Sequence, residues 1–178
     1  MLTAGFYVTL NRSTGDHAFM DPLRKDEHMV VDVHVETVID APPERVAVFA
    51  GDPTNAPKWY ANIRSIDWQT PPPAVVGSRM DFVAQFLGRR LAYTYQVVDL
   101  EPARRLVMRT ADGPFPMETT YTWEPVEAGK TRMTLRNRGN PSGFSRLARP
   151  ILERAMRRAT TKDLARLKAI LEARASDP

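Results

Sequence analysis

The sequence predicts an α+β fold in which a curved sheet of seven antiparallel strands wraps around one long C-terminal helix, with two short helices after the first strand. Three observations carry this. Between Val31 and Arg138 the residues alternate apolar and polar in short runs, broken by Pro- and Gly-containing turns, which is the period of half-buried strands. From Phe144 onward apolar residues instead recur every three or four positions, the period of a helix. A sheet with one apolar face needs a cover, and only the C-terminal segment is long enough to supply it.

The first strand alternates Val31, Val33, Val35, Thr37 and Ile39 with Asp32, His34 and Glu36. Asp40-Ala-Pro-Pro-Glu44 then reads as a helix start. Proline loses no hydrogen bond in the first turn, and early acids favour the positive helix end. That helix, 44–50, stops at Gly51, and a second short one is expected over 52–60. Two such helices can plug one end of a sheet and cannot cover it.

Strands are expected at 63–69 and 80–86, and from Leu91 through Val97. A two-residue Gly88-Arg89 loop would set Phe86 opposite Leu91, Ala84 opposite Tyr93 and Phe82 opposite Tyr95. Further strands follow at 106–110 and 115–124, and a last one carries Met133, Leu135 and Asn137 inward. In the C-terminal helix, Leu147, Ile151, Ala155 and Ala159 form the expected inner stripe, which then drifts, so curvature or a kink is expected near Thr160-Thr161. Residues 1–28 show no sustained period and are expected to form a flexible arm before a single domain at 29–178.

Composition narrows the chemistry. The chain has 178 residues, enough for one domain with a core. It has no cysteine, which excludes disulfides, thiolate metal sites and cysteine nucleophiles, and fits a cytoplasmic protein. No apolar run approaches the ~18–20 residues that cross a bilayer. Phosphate-binding glycine loops, HExxH and Gly-x-Ser-x-Gly are absent. His17, His28 and His34 all lie near the N-terminus, and His34 falls on the polar phase of its strand. No metal or cofactor is expected, and the balance points to binding rather than catalysis. Asp81, Arg109 and Glu118 fall on the outward phase and are expected to face solvent.

The net charge of +4 is uneven. The tail from Phe144 to Arg174 is strongly basic, so the rest of the chain is slightly acidic. Contact of this helix with anionic surfaces is therefore an open expectation, while nothing indicates specific nucleic-acid binding.

Several segments resemble one family. They are Val38-Ile-Asp-Ala-Pro-Pro-Glu-Arg-Val46, Asp52 through Trp59, Val97-Val-Asp-Leu-Glu-Pro102, Thr119-Thr-Tyr-Thr-Trp-Glu-Pro125 and Leu164 to Glu172. In this order they resemble the START-like (SRPBCC, helix-grip) superfamily, and most closely its polyketide cyclase/dehydrase and lipid-transport branch. The resemblance implies a helix-grip fold and an internal cavity for a small hydrophobic or aromatic molecule such as a lipid, quinone or polyketide. It also leaves open a cyclase or dehydratase activity or a non-catalytic interaction module. It supplies no universal catalytic motif. The inward phases nominate Trp59, Phe82, Tyr93, Tyr95, Met108, Met117, Thr119, Tyr121, Leu135, Leu147, Ile151 and Ala155 as ligand-binding. Aromatic rings, a few hydroxyls and small residues such as Ala84 are the usual lining of a ligand pocket.

Overall fold

The computed structural model describes residues 31–86, 88–140 and 149–173; the expected arm at 1–28 and Leu147 lie outside them. The chain runs β1 (Val31–Ile39), α1 (Pro43–Ala50), a 3-10 turn (Pro53–Asn55), α2 (Ala56–Trp59), then β2 (Ile63–Trp68), β3 (Arg79–Phe86), β4 (Arg89–Glu101), β5 (Arg105–Asp112), β6 (Met117–Glu127), β7 (Lys130–Gly139) and α3 (Arg149–Ala173). The seven strands form one antiparallel sheet ordered β1-β7-β6-β5-β4-β3-β2. It is a meander whose last strand pairs back onto the first. The sheet curls into a half-barrel, and α3 lies along β1 and reaches α2. This is the helix-grip architecture.

The alternation explains the faces. In β6, Thr119, Tyr121 and Trp123 are buried while Thr120, Thr122 and Glu124 are more accessible. Their inner face meets Met80, Phe82, Tyr95, Val97, Leu106, Met108, Met133 and Leu135 in one core with Leu164, Leu167 and Leu171 of α3. Burying a side chain of this size stabilises by about 1.5–3 kcal/mol, so the helix is held mainly by its second half.

The edge strand β1 shows how the basic helix is used. Two of its carbonyls accept bonds from α3: His34 O from Arg157 Nη1 at 2.8 Å and Val38 O from Lys168 Nζ at 2.6 Å. At the far end, Asp40 N donates to Glu172 Oε1 and Arg45 Nη2 to Leu171 O. Exposed sheet edges invite pairing with other chains, and charged side chains laid on them prevent it.

Three expectations are corrected. The β3–β4 register sets Phe86 opposite Arg89, Ala84 opposite Leu91, Phe82 opposite Tyr93 and Met80 opposite Tyr95. Arg89 is therefore paired within β4 and does not belong to the loop. A shift by two keeps every side chain on its face, so alternation could not distinguish the registers. Gly88 has φ +78°, the left-handed conformation that glycine adopts at least cost. Secondly, the buried stripe of α3 is Leu152, Thr160, Asp163, Leu164, Leu167 and Leu171. Ile151, expected inside, is 69% exposed. Thirdly, Glu118, expected to face solvent, is only 8% exposed and is among the residues that line the interior cavity. Its carboxylate accepts from Arg109 Nε at 2.7 Å and lies 3.8 Å from Arg138 Nη1, so the cations of two neighbouring strands cover it.

Candidate functional site

A cavity of about 150 Å³ opens between the inner face of the sheet and the first half of α3. It exists because the helix face there carries small or flexible residues, Met156, Ala159 and Thr160, opposite Ala84 of β3. Leucines fill the equivalent space further along. Of the nominated residues, Phe82, Tyr93, Tyr95, Met108, Met117, Thr119 and Tyr121 line the cavity. Trp59 and Leu135 are fully buried in the core rather than the lining. Ala155 is half-buried and does not line it, and Ile151 faces solvent. On α3 the lining uses Leu152 and Met156, one position on from Ile151 and Ala155.

The aromatic wall is ordered. Phe82 and Tyr93 stack with ring centroids 5.5 Å apart, and Tyr95 meets both edge-on at 5.4 and 4.9 Å. Such offset and edge contacts add about 0.5–1.5 kcal/mol each beyond burial. Gly113, on the turn after β5, makes room for this wall. A Cβ there would stand 2.8 Å from Tyr93 Cβ. Gly113→Ala is therefore expected to cost about 1–3 kcal/mol and to displace Tyr93. Urea melts together with the Tyr93 ring signals in NMR check this, and unchanged ring shifts would contradict it.

Polar groups sit at defined points in this apolar space. Thr119 donates to Asn137 Oδ1 at 2.9 Å, so in its 3.0 Å contact with Tyr95 it accepts the tyrosine's proton. The Asn137 amide hydrogens are left for the cavity. Tyr60 and Tyr121 share a hydroxyl–hydroxyl bond of 2.9 Å, which uses one of their two protons and leaves the other. Asn62 also lines the cavity, and its buried Oδ1 accepts no bond among the described residues. An unmet buried acceptor costs about 1–3 kcal/mol, so a donor brought by a bound molecule is favoured there.

Asp163 completes the set. It lines the cavity, is 4% exposed, and accepts from Ala61 N at 2.9 Å through Oδ1. Burial raises its pKa, offset in part by that backbone bond and by the charge of Arg166. Its charge in turn helps to raise the hydroxyl pKa of Tyr60 and Tyr121, in both of which burial is the larger cause. Burial likewise pushes Tyr95 up to about 12, although its bond to Thr119 pulls the other way. The tyrosines are thus neutral donors at any physiological pH. No group of three or more His, Asp or Glu residues able to hold a metal occurs among the described residues.

The sequence reading missed Tyr60, Asn62 and Asp163. Tyr60 and Asn62 flank the end of α2, where no period marks a face. An acid in a helix reads as solvent-facing, yet Asp163 stands three residues after Thr160 and four before Leu167, on the buried side.

The family described as polyketide cyclase/dehydrase and lipid transport matches residues 30–172. The chain belongs to that family. No curated protein sequence matches it. Among solved structures, a protein of Thermus thermophilus is 22% identical with a TM-score of 0.70, over 82% of this chain and 99% of that one. The Zhui aromatase/cyclase of a Streptomyces species is 16% identical with a TM-score of 0.70, over 83% and 97%. A START superfamily protein of Mycobacterium smegmatis is 14% identical with a TM-score of 0.62, over 80% and 95%. At these identities the likeness is one of fold.

Proposed function

We propose that this family member binds a small, flat, mostly apolar molecule bearing hydroxyl and carbonyl groups, of quinone, polyketide or lipid type, and carries or presents it. The observation behind this is the cavity lining, a wall of aromatic and methionine side chains with a few converging polar groups. Asn137 and Tyr93 offer donors suited to a carbonyl, and Asn62 and Asp163 offer acceptors suited to a hydroxyl. Left dry, about 150 Å³ would cost about 4 kcal/mol at 24 cal/mol per Å³, a large part of the ~5–15 kcal/mol that holds a domain together. Occupancy by a molecule or by water relieves that. A void of this size accepts a benzene-sized ring, so a larger ligand seats one ring there and extends out of the cavity. For such a ligand of about 20 atoms at ~0.3 kcal/mol each, the expected affinity is tens of micromolar, which suits exchange of cargo.

Filling the space tests this directly. Ala84→Leu and Ala159→Leu each place three extra carbons in the cavity. Both are expected to keep or raise the melting temperature and to abolish binding of a probe such as 2-naphthol, followed by quenching of protein fluorescence. Retained binding in the double variant, or no bound apolar molecule by native mass spectrometry of purified wild type, would remove the proposal.

One observation favours catalysis as a second reading. A buried carboxyl with a raised pKa beside neutral hydroxyls is the pairing that proton transfer at carbon needs. In an aldol-type ring closure, Asp163 as carboxylate takes a proton from a carbon between two carbonyls. The carbon attacks a second carbonyl, whose oxygen is met by the spare hydroxyl proton of the Tyr60–Tyr121 pair. Asp163 returns the proton to that oxygen, giving a β-hydroxy carbonyl; removal of the second proton of the same carbon by Asp163 then forms the C=C bond as the hydroxyl leaves, taking that proton from Asp163 to depart as water. This reading keeps the same ligand class and the same cavity.

A further inference from the structure

Four cations of α3 are surplus to the fold. Arg157 and Lys168 cap the β1 edge, and Arg149 pairs with Glu153 at 2.9 Å. Arg154, Arg158, Lys162 and Arg166 are all exposed, and none makes an ion pair or hydrogen bond among the described residues. They recur at every fourth position, so they stack in one row along the helix. At 1.5 Å per residue the row is about 18 Å long. Like charges at this spacing repel and weaken a helix, so the row has a cost to folding that the fold itself does not recover. No acidic residue interrupts this face between Arg154 and Arg166: Asp163 points into the cavity and Glu153 is engaged by Arg149.

Ile151 lies at the head of the same face. At about 100° per residue it falls in the middle of the row's angular span, and it is 69% exposed. Its neighbour Leu152, and Met156 one turn later, line the cavity. Phe115, Leu91 and the exposed Arg89 line the same cavity. The helix that carries a cationic row and an apolar tip on one face therefore lines the apolar cavity with another.

We propose that this face of α3 docks on an anionic lipid surface, with Ile151 entering the headgroup region and the cavity mouth held against the bilayer. The charge complement is anionic, and the evenly spaced row suits a surface whose charges move laterally. The face carries no aromatic side chain on which nucleic-acid bases would stack. Among the described residues no helix is long and apolar enough to cross a membrane, so the contact is peripheral, as for basic amphipathic helices. Its purpose, exchange of apolar cargo, rests on the binding function proposed above; the docking itself does not.

The test is sedimentation of the full chain with vesicles of phosphatidylcholine, with and without phosphatidylglycerol, over a salt series. Binding is expected only with phosphatidylglycerol and should fall as salt rises. Neutralising the row in R154Q/R158Q/K162Q/R166Q is expected to weaken partitioning several hundred-fold, from roughly 1 kcal/mol per cation. Ile151→Ser should weaken it at constant charge. Neutralising Lys58, Arg64, Arg90 and Arg104 to Gln, an equal charge change elsewhere on the surface, should leave it within a few-fold. Unchanged circular dichroism and unchanged 2-naphthol binding certify the row variant as folded with its cavity intact. The proposal is overturned by absence of binding at low salt, by equal binding to pure phosphatidylcholine, or by an equal loss in the control variant. Tighter binding to polyglutamate or RNA than to vesicles also overturns it. Failure of the cavity reading shows separately, as loss of naphthol binding with vesicle docking retained.

Discussion

Replacing Trp59 by alanine is expected to cost about 3–5 kcal/mol and to abolish ligand binding with it. Trp59 ends α2 and is fully buried. Its ring stacks on Tyr60 at 3.9 Å and meets Tyr121 edge-on at 6.3 Å. Those two tyrosines form the hydroxyl pair in the cavity wall, so Trp59 supports the site from behind without touching the ligand space. The indole Nε1 is buried with no partner among the described residues. Phenylalanine therefore keeps most of the packing and removes an unpaired donor, and Trp59→Phe should cost less than about 2 kcal/mol. Urea unfolding of both variants, with 2-naphthol titration of the folded fraction, measures the contrast. An alanine variant within 1 kcal/mol of wild type would show that the α2 plug is dispensable.

That contrast reflects what a sequence can and cannot specify. Strand faces were readable because period-two alternation puts Thr119, Tyr121 and Trp123 inside whatever their partners are. The β3–β4 register was not, since shifts by two preserve every face. The α3 phase failed for a different reason. Ile151-Leu152 and Ala155-Met156 offer apolar residues at two adjacent phases, and the tie is broken only by contact: Leu152 packs with Val31 and Val33 of β1. The polar members of the true stripe, Thr160 and Asp163, carry no hydrophobic signal at all. What makes this surface a site rather than a core is therefore what hid it. Functional polar groups break the pattern by which buried faces are recognised.

Asp163→Asn is expected to stabilise the protein at neutral pH and to remove any ring-closing activity. In the unfolded chain the carboxyl titrates at its ordinary value; in the folded protein burial raises it. Below the ordinary value both states are protonated and the group's contribution is whole. As pH rises, the unfolded state ionises first, and that contribution is lost up to the folded pKa, beyond which it stays lost. Asparagine keeps the Oδ1 acceptor for Ala61 N and never ionises, so the variant escapes this loss. The charged and hydroxyl groups around Asp163 are Arg166, Tyr60 and Tyr121, and burial keeps both tyrosine hydroxyls neutral through the acidic range. Asp32 and Glu172 behave oppositely: a hydrogen bond from Arg136 lowers the first and one from Asp40 N lowers the second. The readout is therefore the difference between variant and wild type across the pH series, not either curve alone. That difference should grow in the variant's favour from acid to neutral pH. General acid–base groups commonly contribute about 10²–10⁴-fold to rate, so turnover of a poly-β-ketone analogue should fall by that factor while 2-naphthol affinity changes little. A variant less stable at neutral pH, with a flat difference curve and undiminished turnover, would make Asp163 a structural cap for Ala61 and leave the cavity a binding site alone.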